Sequence, residues 1–104
     1  MIYAKTHTTE SGTILAMCDS ELLGTIVKSG EKEIDLKKYA GFYSGEKVDE
    51  ETAEKILSEN MDFYSANVVG NRSVVIFIKN GIVKKENVMK IGSVPYAQIY
   101  RVKQ

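Results

Sequence analysis

One cysteine, one histidine and one proline occur in 104 residues, and the 14 basic and 14 acidic side chains cancel. A lone Cys18 excludes an intramolecular disulfide, and a chain with neither a disulfide framework nor a secretory apolar segment is expected in the cytoplasm. Zero net charge argues against coating nucleic acid by bulk charge, which leaves local patches as the only electrostatic route to it. The apolar runs are short: Ser73 to Ile78 is closed by Arg72 and Lys79, far below the roughly 18 residues of a membrane span, so no membrane partner is expected. Neither end carries a lipidation motif. With one His and one Cys, a transition-metal site would need mostly carboxylates, and no cluster has ligand spacing; no metal and no cofactor are expected. Neither phosphate-loop pattern, Gly-x-x-x-x-Gly-Lys-Ser/Thr or Gly-x-Gly-x-x-Gly, is present.

What is there fits an ordinary globular composition, 43% apolar and 27% charged with only eight glycines. At this length folding hides about two thirds of the chain's surface, enough for one compact domain over residues 1–104. Ile2, Ala4 and Thr6 alternate with Tyr3, Lys5 and His7, and Thr9 to Gly12 supply turn chemistry before Ile14 to Cys18; this predicts an N-terminal hairpin. Asp19 and Ser20 can cap one helical turn that Gly24 ends. Thr25 to Lys28 and Glu33 to Leu36 read as two short strands around a polar turn with Gly30. Tyr39 to Gly45 reads as loop. Asp49 is an N-cap followed by Glu50 and Glu51 at the positive end of a helix dipole, and Val48 can staple to Ala53. Ala53, Ile56, Leu57 and Met61 then form one apolar stripe, with Asn60 as a helix end. Ser73 to Ile78 fits either a strand before Asn80-Gly81 or a helix capped by Asn71. Pro95 to Lys103 alternates as a C-terminal strand with Tyr96, Gln98, Tyr100 and Val102 on one face.

Four blocks together carry a resemblance: Cys-Asp-Ser-Glu-Leu-Leu-Gly (18–24), Phe-Tyr-Ser-Gly-Glu-Lys-Val-Asp-Glu-Glu (42–51), Ala-Asn-Val-Val-Gly-Asn-Arg (66–72) and Ile-Gly-Ser-Val-Pro-Tyr-Ala-Gln-Ile (91–99). In this order they resemble the archaeal family called domain of unknown function 424. The resemblance implies an archaeal cytoplasmic protein of two-layer α+β type, and a helix after Gly70, although Asn71, the Val-Val-Ile-Phe-Ile run and Tyr96 depart from the family's pattern. It implies no chemistry. Fold class is therefore α+β: a compact two-layer sandwich with a mostly antiparallel sheet and two helices.

Charge is polarised along the chain. Residues 71–104 carry seven basic groups and one acidic, whereas 46–70 carry two and seven. Arg72, Lys79, Lys84, Lys85, Lys90, Arg101 and Lys103 form an electropositive surface if several share a side; alternatively this third docks on the acidic helix. In the Asn67 to Arg72 block, Gly70, Asn71 and Arg72 at a helix N-terminus suit an anion, or are simply a turn and a cap. Pro95, Tyr96 and Gln98 precede Tyr100 and Arg101, and two Tyr rings on one strand face either stack on bases or pack in the core. Expected hairpin pairing sets Cys18 opposite Tyr3 and His7 opposite Ile14, which separates thiol from imidazole by about 13 Å along the strands. No catalytic residue is expected. The first expectation is a non-enzymatic module that binds RNA or a ribonucleoprotein through the basic third, with Lys84 and Lys85 as phosphate contacts. The alternatives are a small anionic ligand held between the Gly70–Arg72 and Gly92–Gln98 motifs, and a surface for another protein or a second copy.

Overall fold

A computed structural model describes residues 1–101. The N-terminal hairpin forms as expected: β1 (Ile2–Thr9) pairs antiparallel with β2 (Gly12–Asp19), setting Tyr3 opposite Cys18 and His7 opposite Ile14. A single 3-10 turn (Ser20–Leu22) follows, then the short hairpin β3 (Ile26–Ser29) and β4 (Lys32–Asp35). The stretch expected as loop contains a four-residue helix, α1 (Ala40–Tyr43), before β5 (Glu46–Val48), which pairs with the start of β1. Helix α2 (Glu50–Ser58) begins at Asp49, whose side chain accepts the Thr52 N–H at 2.7 Å. It stops one turn short of Met61, which is exposed.

β6 (Ser65–Val69) escaped the sequence pattern because it lies between β2 and β8 with Ala66 and Val68 packed on one face and Val69 on the other. A short central strand packed on both faces, open only at Asn67, carries too little polar alternation to stand out. Helix α3 (Asn71–Lys79) follows, then a 3-10 turn (Lys85–Asn87), the edge strand β7 (Met89–Ile91) and β8 (Val94–Tyr100). The six-stranded sheet runs β5-β1-β2-β6-β8-β7, antiparallel except where β2 and β6 run parallel. The α+β class with a mostly antiparallel sheet is as the sequence indicates.

Two apolar clusters lie on opposite faces of this sheet. On one face, α2 and α3 bury Leu57, Val74 and Phe77 against Leu15, Met17, Val68 and Ala97. On the other, β3–β4 and α1 cover Ala16, Cys18 and Val69 with Leu36, Ile34 and Tyr43. The resemblance implies a helix over residues 71–80; the helix spans Asn71–Lys79, and its burial pattern agrees. Ser73, Val74, Ile76 and Phe77 are buried while Val75 is 56% exposed, which is helical spacing and not alternation. No helix among the described residues is long and apolar enough to cross a membrane.

Truncation distinguishes these periods. Phe77→Ala should lower the unfolding free energy by about 3–5 kcal/mol, while Val75→Ala, on the exposed side of α3, should change it by less than about 0.5 kcal/mol in urea titrations. Strand alternation would put 75 and 77 on one face and make both costly.

Candidate functional site

The helix N-terminus after β6 already holds an anion, and the protein supplies it. Asp19, at the end of β2 and 2% exposed, accepts the Arg72 N–H at 3.1 Å, the Ser73 N–H at 2.9 Å and the Ser73 hydroxyl at 2.7 Å. Asp19 and Ser20 were expected to cap their own helical turn. Instead the Asp19 side chain makes no cap bond there and satisfies the orphan donors of α3, 53 residues on. Gly70 permits this. It has φ +107°, a left-handed value, and a Cβ would fall onto the Asp19 carboxylate. Its N–H donates to the Pro95 carbonyl at 2.9 Å and its carbonyl accepts the first helical bond, from Val74. Asn71 is the first helical residue and Gly70 the cap, reversing the expected assignment by one position.

Arg72 is equally committed. Its guanidinium lies 2.5 Å from Glu21 and 3.4 Å from Glu50, and Lys79 lies 3.3 Å from Glu54, so α3 docks its cations on α2 and on the turn after β2. The Glu21 and Glu54 carboxyls lie below their ordinary range, Glu21 mainly through its own backbone N–H and then Arg72, and Glu54 through Asn80 and then Lys79. A groove of about 550 Å³ between α2 and α3 is therefore rimmed by two ion pairs, Arg72 with Glu50 and Lys79 with Glu54, and by Glu51, which pairs with no described residue. Arg101 lies 4.1 Å over the Phe63 ring and donates to the Met61 carbonyl. Of the basic third, Lys84, Lys85 and Lys90 are exposed and make no ion pair among the described residues; Lys103 lies outside them.

The expected pocket between the two glycine motifs does not form around Arg72. Gly70 touches Pro95 through the backbone, but the Arg72 side chain lies on the helix side of the sheet, while Tyr96 and Gln98 face the hairpin. On that side a cavity of about 430 Å³ opens between β4, α1 and the sheet. Its floor is Asn67 and Gln98, directly paired across β6 and β8. Neither side chain hydrogen-bonds to another described residue. Tyr39, Phe42 and Tyr43 from the α1 segment wall the cavity, and residues 33–36 complete its lining, with Ile34 and Leu36 packed on the second core. A smaller recess of about 80 Å³ continues along the same floor to Tyr96 and Val69. Tyr96 is half-buried in the second core with its hydroxyl 3.8 Å from the Met89 sulfur, whereas Tyr100 is 66% exposed.

Sequence reasoning found the floor but missed the wall. The signal was Tyr-Ala-Gly-Phe-Tyr (39–43), three aromatics in five residues of a segment read only as loop. No signal marked the Asp19 contact, because its two ends are far apart in the chain. The thiol and imidazole are apart, as the register required. Cys18 is fully buried, and burial pushes its thiol from 9.0 up to about 12. His7 stacks on Phe42 with 4.6 Å between ring centroids, and its Nε2 is 2.9 Å from the Phe42 carbonyl oxygen. No group of three or more His, Cys, Asp or Glu capable of holding a metal occurs among the described residues.

Comparison with known proteins gives the following. The model of the family described as "Protein of unknown function (DUF424)" matches residues 6–102. The crystal structure of an uncharacterised conserved protein from Methanopyrus kandleri is similar in fold, with a TM-score of 0.78 and 24% identity, covering 95% of this chain and 90% of that one. Among curated proteins none matches.

Asp19→Ala should cost about 2–4 kcal/mol in urea unfolding, since it strands buried donors. Gly70→Ala should also destabilise, and pairing it with Asp19→Ala should cost less than the sum of the two because the steric conflict with the carboxylate is gone. The Cys18 thiol and the Tyr43 phenol are both raised to about 12 by burial. The unfolded chain therefore loses those protons first, and stability should fall as pH rises above about 9. On the acid side Glu21, Asp49 and Glu54 are all lowered. The stability they contribute is present above their unfolded range and is lost as pH falls below it through their lower folded values. Melting temperatures measured across pH should give both limbs, and native Cys18 should resist alkylation at pH 8 until the protein unfolds.

Proposed function

The chain belongs to the DUF424 family of proteins of unknown function, and from its site we propose a non-enzymatic, cytoplasmic binding module that takes its ligand in the groove between the β3–β4 hairpin and the sheet. The observation that carries this reading is the Asn67–Gln98 pair: two side-chain amides side by side on the cavity floor, free of internal partners, under an aromatic wall. Amides supply donors and acceptors with fixed direction and no charge, and aromatic walls supply area, a common division of labour in ligand pockets. A binding role also fits the nucleophile inventory, since the only thiol is buried and held protonated.

A second reading rests on Lys84, Lys85 and Lys90, the exposed cations of the basic third that make no ion pair among the described residues. They favour a phosphate backbone, and RNA is the polymer that the charge polarity of the chain suggests. Lys90 pairs with Pro95, and Gln98 lies three positions further on with the opposite parity. The lysine and the groove floor thus lie on opposite faces of the sheet, and one single strand cannot stack in the groove while its phosphates lie on Lys90.

Gln98→Ala separates the readings. The side chain is exposed, so stability should change by less than about 0.5 kcal/mol, while the affinity of small molecules binding in the groove, read from saturation-transfer signals, should fall by about threefold to tenfold with one hydrogen bond removed. RNA retention that is lost in Lys84→Ala/Lys85→Ala, with a shallower salt dependence, and unaffected by Gln98→Ala would establish the second reading instead.

A further inference from the structure

We propose that the free edge of β1 takes an extended segment of a partner protein as an added strand, with a basic side chain of that segment set opposite Thr6. β5 covers β1 only as far as Ala4, and beyond it Lys5 to Thr9 form an outer edge of the sheet. Two hydrogen bonds fix which way the edge groups point. The Thr13 carbonyl accepts the Tyr64 N–H at 2.8 Å, so Thr13 turns toward β6 and away from Thr8, its partner on β1. The Met1 carbonyl accepts the Ser20 N–H at 2.9 Å, which sets the odd positions of β1 toward β2. The even positions therefore face outward. Ile2 and Ala4 pair there with Val48 and Glu46 of β5. Thr6 and Thr8 are exposed, and their outward N–H and C=O groups have no partner among the described residues.

Sheet edges are commonly guarded by a charged side chain or a proline that turns a further strand away. Here the candidate guards are tied down over α1: Lys5 Nζ donates to the Gly41 carbonyl at 2.8 Å, and the His7 ring stacks on Phe42. The outward positions are both threonine, a residue that suits a strand. An antiparallel segment laid in line with β5 makes a narrow pair with Thr6 and another with Thr8, each exchanging N–H and C=O with the residue opposite. The residue opposite Thr6 shares its face, the one on which Ile2 and Ala4 pack with Ala53 and Leu57 of α2. On that face a recess of about 360 Å³ lies between β1, β5 and the carboxyl end of α2, and its lining includes Ala4, Thr6, Glu46, Ile56 and Asn60. Glu46 is paired with Ala4 and so stands on this face, exposed and without an ion pair among the described residues. Lys5 also lines the recess, but its ammonium is bound on the other side of the sheet. A lysine or arginine opposite Thr6 lays its stem along Ala4 and Ile56 and brings its charge to Glu46, at the negative end of the α2 dipole.

The test uses the full chain labelled with nitrogen-15 and the peptide acetyl-Thr-Val-Thr-Val-Arg-amide. Arginine comes last because Gly45 closes the edge beside Lys5. The peptide should shift the backbone amide signals of Thr6 and Thr8. The same peptide methylated on the arginine backbone nitrogen, which loses the donor for the Thr6 carbonyl, should leave them in place. Glu46→Gln, at an exposed position, should weaken the unmethylated peptide about threefold, and added salt should weaken it further. Unmoved Thr6 and Thr8 signals, or equal binding of the methylated peptide, overturn the added strand. Glu46→Gln without effect, or a peptide ending in glutamate that binds as tightly, overturns the basic partner. Thr6 and Thr8 signals that move with protein concentration before any peptide is added assign the edge to a second copy of the chain and overturn the proposal as well.

Discussion

A buried carboxylate at the start of α3 fixes how the halves of the molecule meet. Asp19 ends β2, and its oxygens take two backbone donors and one hydroxyl from the first turn of the helix that follows β6. β2 and β6 are the parallel pair of the sheet, so both strands deliver their C-terminal ends to one place. A helix N-terminus there carries partial positive charge and unpaired N–H groups, and an uncompensated carboxylate nearby would be costly to bury. Each solves the other's problem. The left-handed Gly70 and its bond to Pro95 then tie β8 to the same point, which leaves the helix one way to lie across the sheet. An anion-binding geometry seen in a sequence can thus be a folding device, and the discriminating fact is whether the chain itself supplies the anion.

That arrangement decides where a ligand can go. Once α3 is anchored, Arg72 and Lys79 fall beside Glu50 and Glu54, and both cations of the rim between α2 and α3 are compensated within the fold. Such exposed pairs add little stability, about 0–1 kcal/mol each. Their larger effect is to remove from the surface much of the charge contrast visible along the chain. The hairpin face has no such pairing. Its second core stops at Tyr43, and past it the amides of β6 and β8 stand open beneath α1.

The parts legible in the sequence were those whose information is local. The β1–β2 register followed from alternation and a turn, and the N-cap of α2 from Asp49 followed by two glutamates, because each depends on residues within a few positions. β6 carried no such mark. Its strand neighbours on both sides, and packing on both faces except at Asn67, bury most of it, so Ser-Ala-Asn-Val-Val has nearly the composition of a core strand without the pattern of an edge one. Residues 73–78 were ambiguous for a related reason: β-branched side chains favour strand in isolation, and packing against Leu15, Ala66 and Ala97 overrides that preference. For the candidate site, Asn67, Tyr96 and Gln98 were found on motifs that the structure does bring together. Arg72 was grouped with them by sequence proximity to Gly70 and sits across the sheet.

The distinction between the two faces bears on what this chain can recognise. Asn67 and Gln98 have no reason in the fold to be amides: valine or threonine would suit the β6–β8 pairing better, and no internal hydrogen bond rewards the choice. Asp19 and Ser73, by contrast, are polar because each satisfies the other. Polar residues that stabilise are consumed by their partners, whereas polar residues left open on a rigid sheet floor keep their hydrogen-bonding capacity for a molecule outside the chain. By that criterion the amide pair is the part of this protein whose chemistry the fold alone does not account for, and the aromatic segment 39–43 is positioned to bound it.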